Sequence, residues 1–173
     1  AIFLRPRFDV YREISRQIRE ILSHYTELVE PLALDEAYLD VTVPKLGGPS
    51  ATEIAKAIKQ EIKQETDLTA SAGVSFNKFL AKIASDLNKP DGLKVIHPEE
   101  VQEFIEKLPI EKVPGVGGKS ALSLNKMGIQ TLGDVKRVPE KALKRKTGKF
   151  GNRLLELSKG IDASAVVPSQ IGR

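Results

Sequence analysis

Apolar residues recur at helical spacing along FDVYREISRQIREILSHY, where Val10, Ile14, Ile18, Ile21 and Tyr25 fall three or four positions apart. Residues 8–25 are therefore predicted to form an amphipathic helix. Two β-prone runs follow, LVEPLAL and AYLDVTV, with the adjacent carboxylates Asp35 and Glu36 between them. Residues 50–66 return to helical spacing, with Ser50 as N-cap and Glu53 in capping-box position. LTASAGVSF (68–76) reads as a strand, NKFLAKIASDLNK (77–89) as a helix stopped by Pro90, LKVI as a short strand, and the stretch near 98–107 as a further helix. This order of helix, hairpin, helix, strand, helix, strand and helix predicts an α+β fold with a helix-covered sheet. LPIEKVPG (108–115) marks a boundary, and short helices punctuated by glycine follow it.

A chain of 173 residues is long enough for one domain with a smaller one attached. It contains no cysteine and only two histidines, His24 and His97, which excludes disulfides and thiolate metal sites. Any metal is therefore expected to be held by oxygen. No apolar run approaches the roughly 20 residues of a membrane span, and no basic, apolar leader opens the chain. The expectation is a soluble intracellular protein, and both ends read as cut.

Charge is divided unevenly. Residues 1–108 hold 14 Lys and Arg against 18 Asp and Glu, a net −4, whereas residues 109–173 hold 13 against 5, a net +8. A basic second part behind an acidic first part suits a polyanionic partner, although a solvated lysine-rich face has the same composition.

Three segments carry candidate chemistry. Neighbours on a straight strand point to opposite faces, so Asp35 and Glu36 can share a cation only where the chain reverses, as it is expected to do here. Mg²⁺ accepts one or two carboxylates together with substrate phosphates. A solvated acidic turn is the simpler alternative. In SAGVSFNKFLAKIASDLNKPDG (71–92), Lys78 and Lys82 lie about 40° apart on a helical wheel and Lys89 about 20° from Lys78. Phe76, Leu80, Ile83 and Leu87 mark a separate apolar stripe. Lys89, just before Pro90, is expected off the helix end, where an ammonium can act as a point charge on a triphosphate. The third segment is VPGVGGKSALSLNKMGIQTLGDV (113–135). Gly115 and Gly117 bracket Val116 before a helix, so a phosphate can reach the backbone N–H groups of Gly115, Val116, Gly117 and Gly118 at a positive helix terminus, with Lys119 and Ser120 adding a cation and a hydroxyl. This run resembles the helix-hairpin-helix motif, which grips a nucleic-acid backbone without reading sequence. Lys136, Arg137, Lys141, Lys144, Arg145, Lys146, Lys149 and Arg153 add further cations downstream.

LDEAYLDVT, TASAGVSFNKFLAKIASDLNKPDG, LPIEKVPGVGGKSA and FGNRLLELSKGID, in this order and spacing, resemble the Y-family translesion DNA polymerases of the bacterial polymerase IV type. The resemblance covers essentially the whole chain. It implies an incomplete ferredoxin-like palm over residues 1–108, an all-α thumb with a helix-hairpin-helix over 109–167, and the start of a linker at 168–173. Asp35 and Glu36 match the family's second set of metal-binding and catalytic carboxylates. Lys89 matches the lysine that contacts the incoming triphosphate, and Lys82 is a weaker nucleotide or DNA contact. The implied activity is low-fidelity, damage-tolerant nucleotidyl transfer with two Mg²⁺ ions, acting on primer-template DNA and dNTP in the bacterial cytoplasm and nucleoid. A sliding clamp is expected to bind through C-terminal segments beyond this sequence.

The family's first strand with its shared metal-binding aspartate, its ribose-discriminating aromatic, its fingers and its C-terminal DNA-gripping domain are not matched by any residue here. The expectation is a palm-and-thumb portion that is inactive alone. Ala33 stands where many relatives have serine. Two other readings remain: a non-catalytic DNA-binding module, and another palm-fold nucleotide enzyme such as a cyclase, which would need no helix-hairpin-helix.

Overall fold

The computed structural model describes residues 2–45 and 47–168. Of the expected linker, residues 169–173 lie outside this range. The chain divides into two compact units, the first made of Ala1–Ala72, Lys89–Leu93 and Ala165–Arg173 and the second of Gly73–Asn88 and Lys94–Ser164.

In the first unit, α1 (Phe8–Tyr25) packs on α2 (Ala51–Thr66). Only the C-terminal half of the expected α1 stripe is buried. Ile21 and Tyr25 join Ile54 and Ile62 in the core, whereas Val10 is exposed. Ser50 and Glu53 form the predicted capping box, the Ser50 side chain accepting from the Glu53 N–H and the Glu53 side chain from the Ser50 N–H. Tyr25 donates its hydroxyl to Glu61 across the helix pair at 2.6 Å. Burial, reinforced by that carboxylate, pushes the phenol up to about 12.

Between these helices lies an antiparallel hairpin of β1 (Val29–Pro31) and β2 (Ala37–Leu39), with Val29 opposite Leu39, Glu30 opposite Tyr38 and Pro31 opposite Ala37. Both strands are shorter than their sequence runs. β1 ends at Pro31 as the chain turns, with one further backbone bond, from the Leu32 N–H to the Glu36 carbonyl at 2.9 Å, beyond it. After β2, Asp40 Oδ1 accepts from the Thr42 N–H at 2.9 Å, and the Asp40 carbonyl accepts from the Thr26 hydroxyl at 2.7 Å. One more cross-strand bond, from the Asp40 N–H to the Leu28 carbonyl at 3.0 Å, follows β2, and past it these local bonds replace strand pairing.

β3 (Ala72–Val74) and β4 (Leu93–Val95) form the other two-stranded sheet. Only three residues of the expected 68–76 strand are paired. Within the second unit, Gly73 lies directly on α3 (Lys78–Leu87), and a Cβ there would meet the Ala81 carbonyl at 2.0 Å and the Ser85 nitrogen at 2.4 Å. Glycine is required by close approach of strand and helix.

A 3-10 turn at Pro98–Glu100 leads into α4 (Val101–Lys107), and the chain continues through α5 (Gly118–Asn125), a 3-10 turn at Gly133–Arg137, α6 (Glu140–Thr147) and α7 (Phe150–Ser158). One apolar cluster joins Leu80, Ile83, Ile96 and Ile105 to Ile110, Leu124, Ile129, Leu143 and Leu154. Helices on both sides of residue 109 thus share a core. Asn77 caps α3 by accepting from the Leu80 N–H at 3.0 Å and donates to the Gly160 carbonyl at 3.0 Å. Asp162, whose side chain is 2% exposed, accepts from the Phe79 N–H at 2.9 Å and pairs with Arg153 at 2.8 Å.

Candidate functional site

The acidic pair sits where the chain reverses. The Leu32 and Ala33 N–H groups both donate to the Glu36 carbonyl, at 2.9 and 3.3 Å, and close the loop at the end of the β1–β2 ladder. Asp35 is in the loop and exposed, and Glu36 is half-buried immediately before β2. Neither lies inside a strand, so the alternation that would separate their side chains does not apply. Two hard oxygen donors at an accessible tip fit a divalent cation that takes its remaining ligands from phosphates and water. Among the described residues no group of three or more His, Asp or Glu side chains is gathered as a metal site.

Lys89 is exposed and lies beyond the end of α3, whose C-cap is Asn88. Its peptide bond to Pro90 is cis, and Asp91 has φ of 54°. The Gly92 N–H donates to the Ser71 hydroxyl at 3.3 Å, and the Gly92 carbonyl accepts from the Ala72 N–H at 2.9 Å. Lys82 lies on α3 with its ammonium 3.6 Å from Asp86 and its side chain 22% exposed. Because α3 ends at Leu87, the sequence wheel joining Lys78, Lys82 and Lys89 is not a single helix face. The expected apolar stripe also shifts. Phe79, Leu80, Ile83 and Ala84 are buried, while Phe76 and Leu87 are exposed.

The glycine hairpin has the predicted form. The Val116 N–H donates to the Val113 carbonyl at 2.9 Å, and these two valines are buried while Gly115, Gly117, Gly118, Lys119 and Ser120 are exposed. Gly115 has φ of +90° and a Cβ there would approach the Phe150 ring at 3.2 Å. Gly117 is the N-cap of α5, and no side chain caps that terminus. The residues of its first turn are exposed, and the free N–H groups of a helix start form its positive end, an arrangement able to hold an anion. Ala121, Leu124, Ile129, Leu132 and Val135 pack beneath it. The return segment is fixed by Asp134, which accepts from the Gln130 and Thr131 N–H groups at 3.0 and 2.9 Å. The Thr131 amide chiefly holds its carboxyl below the usual range, against a partial upward push from burial.

Comparison with known proteins matches the impB/mucB/samB family over residues 1–86 and the thumb domain of DNA polymerase iota over residues 111–162. The DNA polymerase IV of Shewanella halifaxensis is 52% identical over 169 residues, 98% of this chain and 47% of that protein. DNA polymerase IV of Streptococcus thermophilus is 52% identical over 171 residues, 99% of this chain and 47% of its own length. Among solved structures, DinB from Sulfolobus solfataricus superposes with a TM-score of 0.89 at 39% identity, over 97% of this chain and 50% of that one. The chain belongs to the Y-family DNA polymerases. An insertion ternary complex of Dbh DNA polymerase is similar at TM-score 0.89 and 40% identity, over 96% and 49% of the two chains. This Y-family chain spans about half the length of the curated relatives it matches. No helix among the described residues is long and apolar enough to cross a membrane.

Proposed function

We propose that residues 1–173 supply the palm and thumb of a low-fidelity, damage-tolerant DNA-directed DNA polymerase, with residues 1–108 as palm, 109–167 as thumb and 168–173 as the start of a linker. The observation that carries the catalytic reading is the placement of Asp35 and Glu36 at the closed end of a short hairpin, where one carboxylate is exposed and its neighbour half-buried. Asp35 and Glu36 would hold Mg²⁺, which when bound supplies Lewis-acid stabilisation of the charge on reacting phosphoryl oxygens. Lys89 would neutralise triphosphate charge, with Lys82 as a lesser contact to nucleotide or DNA. The hairpin Gly115–Ser120 would grip the primer backbone through N–H groups and the Lys119 ammonium.

Two carboxylates are fewer than a two-metal site requires, so residues 1–173 alone would not extend a primer. Primer-template DNA and dNTP are the substrates on this reading. A sliding clamp would be met through segments beyond residue 173, in the bacterial cytoplasm and nucleoid.

In the full-length protein, Asp35→Asn should lower single-nucleotide primer extension by at least about 10²-fold, since it removes a charge that balances the cation. Duplex DNA affinity should stay within about two-fold, because the +8 segment after residue 108 is untouched. Unchanged extension would favour the non-catalytic DNA-binding module, the reading that the basic segment and the glycine hairpin support without the acidic pair.

A further inference from the structure

We propose that Lys59, on α2, is a positioning residue that fixes the Lys89–Gly92 turn and thereby sets where the Lys89 ammonium meets a nucleoside triphosphate. The inference rests on the reading of Lys89 as the triphosphate contact.

Lys59 is distinguished from the lysines around it by what its ammonium touches. Nζ donates to the Ala70 carbonyl at 2.7 Å, to the Asp91 carbonyl at 2.7 Å and to Asp91 Oδ1 at 2.6 Å, with the Gly92 carbonyl at 3.4 Å. An ammonium has three protons, and all three are directed at the turn and at the residues leading into β3. The Lys59 side chain is 15% exposed and that of Asp91 57%, so water screens the bonds to the Ala70 and Gly92 carbonyls more weakly than the ion pair with Asp91. Lys63, one turn on, pairs only with Asp67 at the end of its own helix, and both side chains are more than half exposed. Lys63 is a surface pair worth little, whereas Lys59 ties three separate segments of the first unit together.

The turn needs such a tie. It carries a non-glycine residue in the left-handed region at Asp91, a conformation that the surroundings must hold. Two backbone-linked bonds, from the Gly92 N–H to Ser71 and from the Ala72 N–H to Gly92, fix its far end, and Lys59 fixes Asp91 itself. Lys89 lies two residues before Asp91, so releasing Asp91 spreads the positions its ammonium can occupy. Misplacing a charge relative to a triphosphate weakens nucleotide binding more than it affects turnover of the bound complex.

The test uses the full-length protein. Lys59→Met should speed amide hydrogen exchange at Asp91, Gly92 and Leu93 and raise the KM for dNTP about ten-fold, with kcat nearly unchanged. Lys59→Arg should restore much of both, because a guanidinium can reach several of the same oxygens. Lys59→Met combined with Lys89→Ala should be no worse than Lys89→Ala alone. Asp91→Asn, which keeps a residue tolerant of the left-handed region and removes one acceptor charge, should shift exchange and KM in the same direction by less, and serves if Lys59→Met does not fold. Unchanged exchange at residues 91–93 in Lys59→Met overturns the inference. So does a normal KM in Lys59→Met where Lys89→Ala raises it, or multiplicative effects in the double variant. A normal KM in Lys89→Ala overturns the triphosphate reading of Lys89, and this inference with it, a result told apart by the Lys89 variant alone.

Discussion

Glycines 117 and 118 allow the DNA-gripping role of the hairpin to be separated from its role in folding. Gly117 has φ of −77° and ψ of 169°, an extended conformation open to any residue, and a Cβ at either position would meet nothing within 4 Å. Neither backbone conformation nor internal packing therefore calls for glycine at these two sites. Alanine at Gly118, in the first turn of α5, should gain up to about 1 kcal/mol of helix propensity, and alanine at Gly117 about 0.4–1 kcal/mol by restricting the unfolded chain. The melting temperature should then rise by about 2–4 °C or stay level in each. If a phosphate closes on these N–H groups, the added methyl groups keep it away. Loss of one charge-assisted hydrogen bond, about 1.5–3 kcal/mol, is about ten- to hundred-fold in duplex affinity. Gly115→Ala is the contrasting case. Its φ of +90° and the Phe150 ring 3.2 Å from the new Cβ should lower both stability and binding. Fluorescence anisotropy on two unrelated duplexes across a salt series, with thermal melts of the same samples, reads both quantities. Lys119→Ala should flatten the slope of log affinity against log salt by about 0.9, whereas the glycine variants should leave it nearly unchanged. Alanine variants at 117 and 118 that bind DNA normally, or that melt several degrees lower, would refute the reasoning.

Two predictions concern stability and pH. Tyr25 is neutral when folded, and its pKa of about 12 lies above the ordinary value of 10, so its contribution is complete below pH 10 and is lost as pH rises toward 12. Tyr25→Phe should remove that alkaline loss and cost about 1 kcal/mol at neutral pH by deleting the bond to Glu61, as chemical denaturation at pH 8 and pH 11.5 would show. At Asp162, burial pushes the carboxyl up but the Ser164 and Arg153 bonds outweigh it, so the net shift is downward. Stability from this group is present above the ordinary carboxylate range and falls away as pH drops through the lowered value. Asp162→Ala leaves the Phe79 N–H and Arg153 without their acceptor and should cost about 1.5–3 kcal/mol at pH 7, and progressively less as acid titrates the carboxylate through its lowered value. A cost that does not fall anywhere along the acid limb would sink this account.

The helices were legible because their signals are local. Ser50 and Glu53 announce a capping box three residues apart, and α1 and α2 run where the apolar spacing places them. The strands were legible in position but not in length. β1 and β2 stop after three residues each where the chain turns at 32–36 and where Asp40 bonds locally to Thr42 and Thr26, and β-prone composition does not register such competition. The α3 stripe shifted for a related reason. Which residues of a short amphipathic helix are buried depends on what covers it, and Phe79 and Ala84 are covered where Phe76 and Leu87 are not.

The candidate site divides along the same line. The hairpin at 113–120 and the reversal at Asp35–Glu36 are each encoded within a dozen residues, so glycine placement and flanking β-runs were enough to find them. Lys59 was not legible. It is one of three lysines on α2, with Lys56 and Lys63, and nothing in its neighbours distinguishes it. Its role arises only when the chain brings back a turn 32 residues later, so that Asp91 Oδ1 comes within 2.6 Å of Nζ. A lysine with four oxygen partners on two other segments is recognisable by geometry alone. Residues that hold a site in place are therefore the ones that sequence patterns miss most readily. Their partners are backbone carbonyls, which every residue carries and no pattern records.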